Sequence, residues 1–248
     1  MRAALFALLA IVSIPRAGSG EDVTVFAAAS LADAVEEVAR GYEQATGNKV
    51  VLNVGASSDL SRQIQAGAGA DLFFSADRAQ MDALEKAGLV RGADRVELLS
   101  NALVVVVPAS AATIIAAPAG LARLRRIALA DPEAVPAGVY ARAYLESVGL
   151  WPALRDRVIP TLNVRAALAA VESGNVDAGI VYRTDAAMSR RVRVAFTVPA
   201  DRGPRIVYVL ASLAASRKAG ALDLMRRLAS PAAAAVFQKY GFVVLAPR

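Results

Sequence analysis

The run Val23-Thr24-Val25-Phe26-Ala27-Ala28-Ala29-Ser30 decides how the rest of the chain is read. It opens as a β-branched, alternating segment, which predicts a strand. It then sheds bulk over three alanines and stops at a serine. Beyond Ser30 the period changes: Leu31, Ala34, Val35, Val38 and Ala39 recur at helical spacing, with Glu36, Glu37 and Arg40 between them. The stretch predicts a strand, a small-residue turn and a helix capped by Ser30. A helix start carries N–H groups without intrahelical partners and a partial positive charge. Small side chains before it let a ligand come close to the backbone. In an open α/β sheet such turns lie at the carboxyl edge, where ligands bind. On this stretch alone, an anion site and an ordinary capped turn are both open readings.

The design recurs. Lys49-Val50-Val51-Leu52-Asn53-Val54 predicts a strand that ends in Gly55-Ala56-Ser57-Ser58-Asp59, before a helix carrying Leu60 and Ile64. Asp71-Leu72-Phe73-Phe74-Ser75 reads as a short buried strand, with a helix from Ala76-Asp77 to a stop at Gly88. Residues 101–108 are continuously apolar from Ala102 to Val107, as expected of a strand covered on both faces. Further strands are expected over 127–130, 158–161, 178–182, 192–198 and 206–210, and Pro160 marks 158–161 as an edge. Helices are expected over 137–147, 151–157, 164–172, 219–228 and 231–240. This alternation predicts an α/β fold made of two parallel-type units.

Composition narrows the function. The chain has 248 residues, 56% hydrophobic and only 6% aromatic, which suits α/β layers better than an aromatic-rich sandwich. The net charge is +6, but the arginines are scattered and no stripe of base-stacking aromatics accompanies them, so no nucleic-acid partner is expected. A mild positive field suits a small anion, and a basic surface also serves solubility. There is no cysteine and no histidine. That excludes a disulfide framework, a lipidated N-terminal cysteine, zinc sites built from these residues, Ser-His-Asp triads and Cys-His dyads. Most exported hydrolases fall with them. Residues 1–20 read as a cleaved signal peptide: Arg2, an apolar run over 3–14, then Ala17-Gly18-Ser19-Gly20. The mature chain is expected to start near Gly20 or Glu21, as a free periplasmic protein without a lipid anchor.

Turns that could close on an anion recur at Ser30, at Ser57-Ser58, at Ala137-Gly138 and before Val164, each where a helix begins. With these in view the chain resembles the periplasmic molybdate-binding proteins of ABC uptake transporters. The resemblance rests on Val25-Phe26-Ala27-Ala28-Ala29-Ser30-Leu31, on Ser57-Ser58 with Arg62-Gln63-Ile64-Gln65-Ala66-Gly67-Ala68, and on Ala70-Asp71-Leu72-Phe73-Phe74-Ser75-Ala76-Asp77. It continues through Asn101-Ala102-Leu103-Val104-Val105-Val106, through Asp131-Pro132-Glu133-Ala134-Val135-Pro136-Ala137-Gly138-Val139-Tyr140 and through Gly179-Ile180-Val181-Tyr182, and closes with Phe237-Gln238-Lys239-Tyr240-Gly241-Phe242.

The resemblance implies two α/β lobes of the type II periplasmic-binding-protein fold, with the ligand in the interlobe cleft. Lobe 1 is expected over 21–102 and 199–248 and lobe 2 over 103–198, with crossovers near Leu103 and Val198. It implies molybdate or tungstate as ligand, held by the hydroxyls of Ser30 and Ser57, the backbone N–H groups of Ala137 and Val164, and the phenol of Tyr182. It implies a monomer that serves a membrane permease, with no catalytic residue and no cofactor. Asp59 and Arg183 depart from the family pattern. Asp71 and Asp77 read as turn and cap residues, and Pro160 and Trp151 as packing residues. The competing functions are binding of another tetrahedral oxyanion, such as sulfate or phosphate, and an exported enzyme acting on an anionic substrate. The absence of histidine, cysteine and a nucleophile–base pair counts against the enzyme.

Overall fold

The structure is a computed structural model that describes residues 20–112 and 114–246. All of the expected signal peptide except Gly20 lies outside the described residues. The opening β-branched run forms β1 (Asp22–Ala28), and its small-residue end passes through a 3-10 turn, Ala29–Leu31, into α1 (Ala32–Thr46). The chain continues through β2 (Lys49–Gly55), α2 (Ser57–Gln65), β3 (Leu72–Ser75), α3 (Arg78–Lys86) and β4 (Val90–Ser100). Next come β5 (Leu103–Pro108), β6 (Ile127–Ala130), α4 (Pro136–Ser147), α5 (Trp151–Leu154), β7 (Val158–Thr161) and α6 (Val164–Glu172). Then follow β8 (Ala178–Tyr182), α7 (Arg183–Ala187) and β9 (Val192–Thr197), and β10 (Tyr208–Leu213), α8 (Ala219–Leu228), α9 (Pro231–Lys239) and β11 (Val243–Val244) close the chain.

The helical period read in the sequence is the buried face of α1: Ala34, Val35, Val38, Ala39 and Tyr42 are all buried. Gly47, at φ +77°, ends that helix in the left-handed conformation that glycine adopts without steric cost.

The strands sort into two sheets, six strands in the order β11-β4-β10-β3-β1-β2 and five in the order β7-β6-β8-β5-β9. The chain leaves the first sheet after Ser100 and enters the second at Leu103. It leaves the second after Thr197 and rejoins the first at Tyr208. These are the two crossings of a two-lobed α/β fold. The sheets are mixed, which corrects the expectation of parallel units. β1 pairs in parallel with β2 and β3, but β10 runs antiparallel between β3 and β4, and β5 runs antiparallel between β8 and β9. Strand direction is set by where a returning chain inserts, and hydrophobic periodicity carries no record of it.

β4 and α7 were not expected from the sequence. β4 carries Arg91, Asp94, Arg95 and Glu97, which mask its alternation. The charges are used in pairs: Arg95 meets Asp82 at 2.6 Å and Glu85 at 2.7 Å, and Arg78 meets Glu97. β7 lies at the sheet edge, as its proline requires. Pro160 itself is exposed on that edge rather than packed, because only part of an edge strand faces the core. Trp151 packs against the core and under the Arg142 guanidinium, 5.2 Å from its ring centre.

Leu103 to Val107 on β5 are all buried, and so is all of β6. They lie in the interior of the second sheet, and β6 leads on to the start of α4. Leu129→Ala, at a fully buried position between β7 and β8, is expected to cost about 2–5 kcal/mol through lost contacts and a residual cavity. Urea denaturation should read it as a lower midpoint with an unchanged slope.

Candidate functional site

Five strands end at one place. β1 delivers Ala29 and Ser30, β2 delivers Ala56 and Ser57, and β6 leads through a loop to Pro136 and Ala137. β7 leads to Asn163 and Val164, and β8 ends on Tyr182. All of these line a single cavity, with about 220 Å³ of empty space including its mouth, that draws on residues of both sheets. Its enclosed part is far smaller than a pocket for a drug-sized organic ligand. Every residue expected from the sequence is there: Ser30, Ser57, Ala137, Val164 and Tyr182. None of the lining residues carries a charged side chain.

The helix starts supply donors. Ser57 is the first residue of α2, Ala137 is the second of α4, behind Pro136, and Val164 is the first of α6. First-turn N–H groups have no partner inside their helix. At α6 the Asn163 side chain caps by accepting from the Ala166 N–H at 3.0 Å, so its capping bond leaves Val164 untouched. Pro136 at the start of α4 has no N–H to satisfy and presets the backbone for helix.

The serines do not cap, which corrects the reading of Ser30. The backbone at Ser30 is already inside the 3-10 turn, whose cap position is Ala28, and no side-chain cap is made. The Ser30 hydroxyl turns instead to the Tyr208 phenol, 3.0 Å away. Ser57 likewise follows its helix's cap residue, Ala56, and its Oγ accepts from the Ala76 N–H at 3.0 Å. A hydroxyl that accepts in this way keeps its own proton to donate.

Tyr182 is 1% exposed, and its hydroxyl has no hydrogen-bond partner among the described residues. Burial pushes its ionisation well above the ordinary phenol value, so it stays a neutral donor. A buried donor without a partner costs about 1–3 kcal/mol. An acceptor placed in the cavity would satisfy it.

The departures lie outside the cavity. Asp59 turns to Arg62, and Arg183 donates to the Gly241 carbonyl at 3.2 Å. Asp77 caps α3 by accepting from the Gln80 N–H at 3.0 Å. Asp71 ties the Thr24 N–H, Ser216 and Lys218 together, each at 2.8 Å. Both act as structural residues. Among the described residues, no cluster of three or more Asp or Glu side chains could hold a metal ion.

Sequence reasoning missed three groups. Tyr208 and Asn101 stand behind Ser30, with the Asn101 Nδ2 3.2 Å from the Tyr208 phenol oxygen. Arg165, on the first turn of α6, joins Asp33 on α1 at 2.7 Å and the fully buried Asp185 on α7 at 2.6 Å. A polar residue at a helix start, at a strand end or between two strands is locally unremarkable, so no signal marked them. Gly138 was read as part of the Ala137-Gly138 turn, and the structure adds its reason: a Cβ there would collide with the carbonyl oxygens of Ala130 and Asp131.

Two expected outcomes follow from this geometry. Gly138→Ala should push the start of α4 off the loop after β6 and displace the Ala137 N–H. Titration with a bound anion should then weaken by at least about tenfold, the loss of one bond to a charged group. The second concerns Asp185, whose carboxyl is raised from 3.8 to about 6, chiefly by burial and against the pull of Arg165. The folded protein therefore holds a proton that the unfolded chain releases near pH 4, and this contribution to stability declines as pH rises from about 4 to 6. Asp185→Asn should remove that decline, on the order of 3 kcal/mol, from the difference between wild-type and variant stability curves measured across the window.

The chain matches the bacterial extracellular solute-binding protein family over residues 23–243. It is 40% identical over 228 residues to the molybdate-binding protein ModA of Escherichia coli (strain K12), covering 90% of this chain and 89% of that one. It is 38% identical over 226 residues to the molybdate-binding protein ModA of Haemophilus influenzae, covering 89% of each. The structure is similar to that of the Azotobacter vinelandii periplasmic molybdate-binding protein, with a TM-score of 0.81 at 24% identity, over 90% of this chain and 100% of that one. From the family match along nearly its whole described length, and from two lobes closing on a cavity lined by helix starts, the chain belongs to the bacterial extracellular solute-binding proteins.

Proposed function

We propose that the protein captures molybdate, and tungstate as well, outside the cytoplasmic membrane and delivers it to the membrane permease of an ABC transporter. The observation that carries this reading is the buried Tyr182 hydroxyl, without a partner among the described residues, on a residue that lines one cavity with helix starts from both lobes and no charged side chain. The identity to two molybdate-binding proteins supports molybdate as the anion. Ser30 and Ser57 donate from the first lobe through their hydroxyls. Ala137 and Val164 donate from the second through backbone N–H groups, and Tyr182 donates through its phenol. Lobe 1 is 21–102 with 199–248, and lobe 2 is 103–198.

The energetics support an anion held without a cation. Each hydrogen bond to a charged ligand contributes roughly 1.5–3 kcal/mol. Each helix start adds about 0.3–1 kcal/mol. Five donors together offset the loss of water from a divalent ion, and one would not. No single lobe holds all five, so the ion favours closure, and the closed shape is what a permease can distinguish from the empty protein. The protein is read as a monomeric, periplasmic carrier released by a signal peptidase. It has no catalytic role and no cofactor. The sequence has no cysteine to carry a lipid.

A ligand that binds only the folded form adds about 4 kcal/mol at a thousandfold excess over Kd. Molybdate should raise the melting temperature on the order of 10 °C, at roughly 2–4 °C per kcal/mol. Sulfate and phosphate at the same concentration should shift it far less, and equal shifts would overturn the choice of molybdate. Tyr182→Phe keeps the ring and removes the donor. Its molybdate Kd should rise roughly 10- to 150-fold, mainly through faster release, while the ligand-free protein keeps its stability. Stopped-flow dissociation and fluorescence titration check this, and a wild-type off-rate would remove Tyr182 from the site.

A further inference from the structure

Asn101 lies between β4 and β5, where the chain crosses from the first sheet to the second. Its Oδ1 accepts from the Ala102 N–H at 2.9 Å. A backbone N–H can only donate, so this contact fixes which end of the Asn101 amide is oxygen and which is nitrogen. The nitrogen then directs its two protons to Thr184 Oγ1, at 2.9 Å, and to the Tyr208 phenol oxygen, at 3.2 Å. An amide nitrogen offers no lone pair, so the phenol cannot donate back to it. The Tyr208 proton goes to its other partner, Ser30 Oγ, 3.0 Å away. Ser30 accepts this bond, and its own proton is left for the cavity that it lines. Tyr208 is 0% and Ser30 3% exposed, so bulk water does not reverse the order.

We propose that Asn101 and Tyr208 are positioning residues that hold the Ser30 hydroxyl as a donor toward the ligand, and so select a fully deprotonated oxyanion over one that still carries an O–H. The inference rests on the anion-binding reading above and deepens it. An oxyanion with four bare oxygens needs donors only. Hydrogen phosphate brings a proton that requires an acceptor, and a Ser30 hydroxyl free to rotate would supply one. The hydroxyl is fixed by a chain that starts at the backbone of the interlobe crossing, through side chains that do not touch the ligand.

The test compares Kd for sodium molybdate with Kd for hydrogen phosphate at pH 8, by calorimetry on ligand-stripped wild type, Tyr208→Phe and Asn101→Asp. Tyr208→Phe keeps the ring that packs against Tyr182 and Phe242, at 5.9 and 5.4 Å between centres. Its molybdate Kd should rise about 5- to 20-fold, and its preference for molybdate over hydrogen phosphate should fall by at least about fivefold. Asn101→Asp reverses the chain, because a carboxylate accepts the Tyr208 proton and Ser30 must then donate to Tyr208. Its added charge weakens both dianions alike, so the preference reads the polarity alone, and it too should fall by at least about fivefold. If Tyr208→Phe does not fold, Asn101→Asp decides. A purely structural role would lower both affinities together and leave the preference within about twofold of wild type, which overturns the proposal. Wild type that binds neither anion overturns the anion-binding reading and this one with it, whereas wild type that binds molybdate with an unmoved preference overturns this one alone.

Discussion

The first N–H groups of a helix find no partner within it, and helix starts from both lobes of this protein face one cavity. The rest of the architecture meets that constraint. Starts that belong to one sheet lie side by side along its carboxyl edge. Only a second sheet, facing the first, can oppose them, and two crossings of the chain supply it. The backbone must also be approachable, so the cavity is walled by Ala28, Ala29, Gly55, Ala56, Ala76 and Ala137. Gly138 carries the same demand one layer deeper, since it seats α4 against the carbonyls that follow β6.

The lobes are joined by apolar packing, Tyr182 on Tyr208 at 5.9 Å between ring centres, and by polar contacts beside it. Within each lobe, strands such as β5 and β6 are apolar and closed to water. Between lobes, polar contacts recur: Arg165 to Asp33, Arg183 to the Gly241 carbonyl, and the chain Ser30–Tyr208–Asn101–Thr184. Polar contacts can be exchanged for water when lobes part, at far lower cost than exposing an apolar core. Such bonds let the two lobes separate more cheaply than apolar packing alone would.

Much of this was legible because much of it is local. β-branched alternation, helical spacing and small residues at strand ends each act within a few positions, so β1, β6, α6 and the helix starts could be read directly. The cavity-lining residues Ser30, Ser57, Ala137, Val164 and Tyr182 followed from those starts and from family resemblance. What escaped was non-local. Tyr208 lies 178 residues from Ser30 and 107 from Asn101, and no spacing rule connects them. The capping reading of Ser30 failed for the same reason: a serine at a strand end can bond the turn or a distant phenol, and only the fold decides. β4 escaped because its charges are matched by α3, and periodicity treats those charges as noise.

The distribution of charge closes the argument. The chain is basic, yet no charged side chain lines the cavity. On the proposed function, these two facts divide the work of binding. A diffuse positive field draws anions in and raises the rate of encounter without selecting among them. A cation inside the cavity would add affinity for anions of every shape. Neutral donors act only at hydrogen-bond distance and angle, so they recognise a shape. Arg165, next to Val164 in sequence, is the case that tests this division. Its guanidinium is bound by Asp33 on one side and Asp185 on the other, so its charge is matched before an anion arrives. The burial of Asp185, which alone would be costly, keeps a strong cation beside the site from becoming part of it.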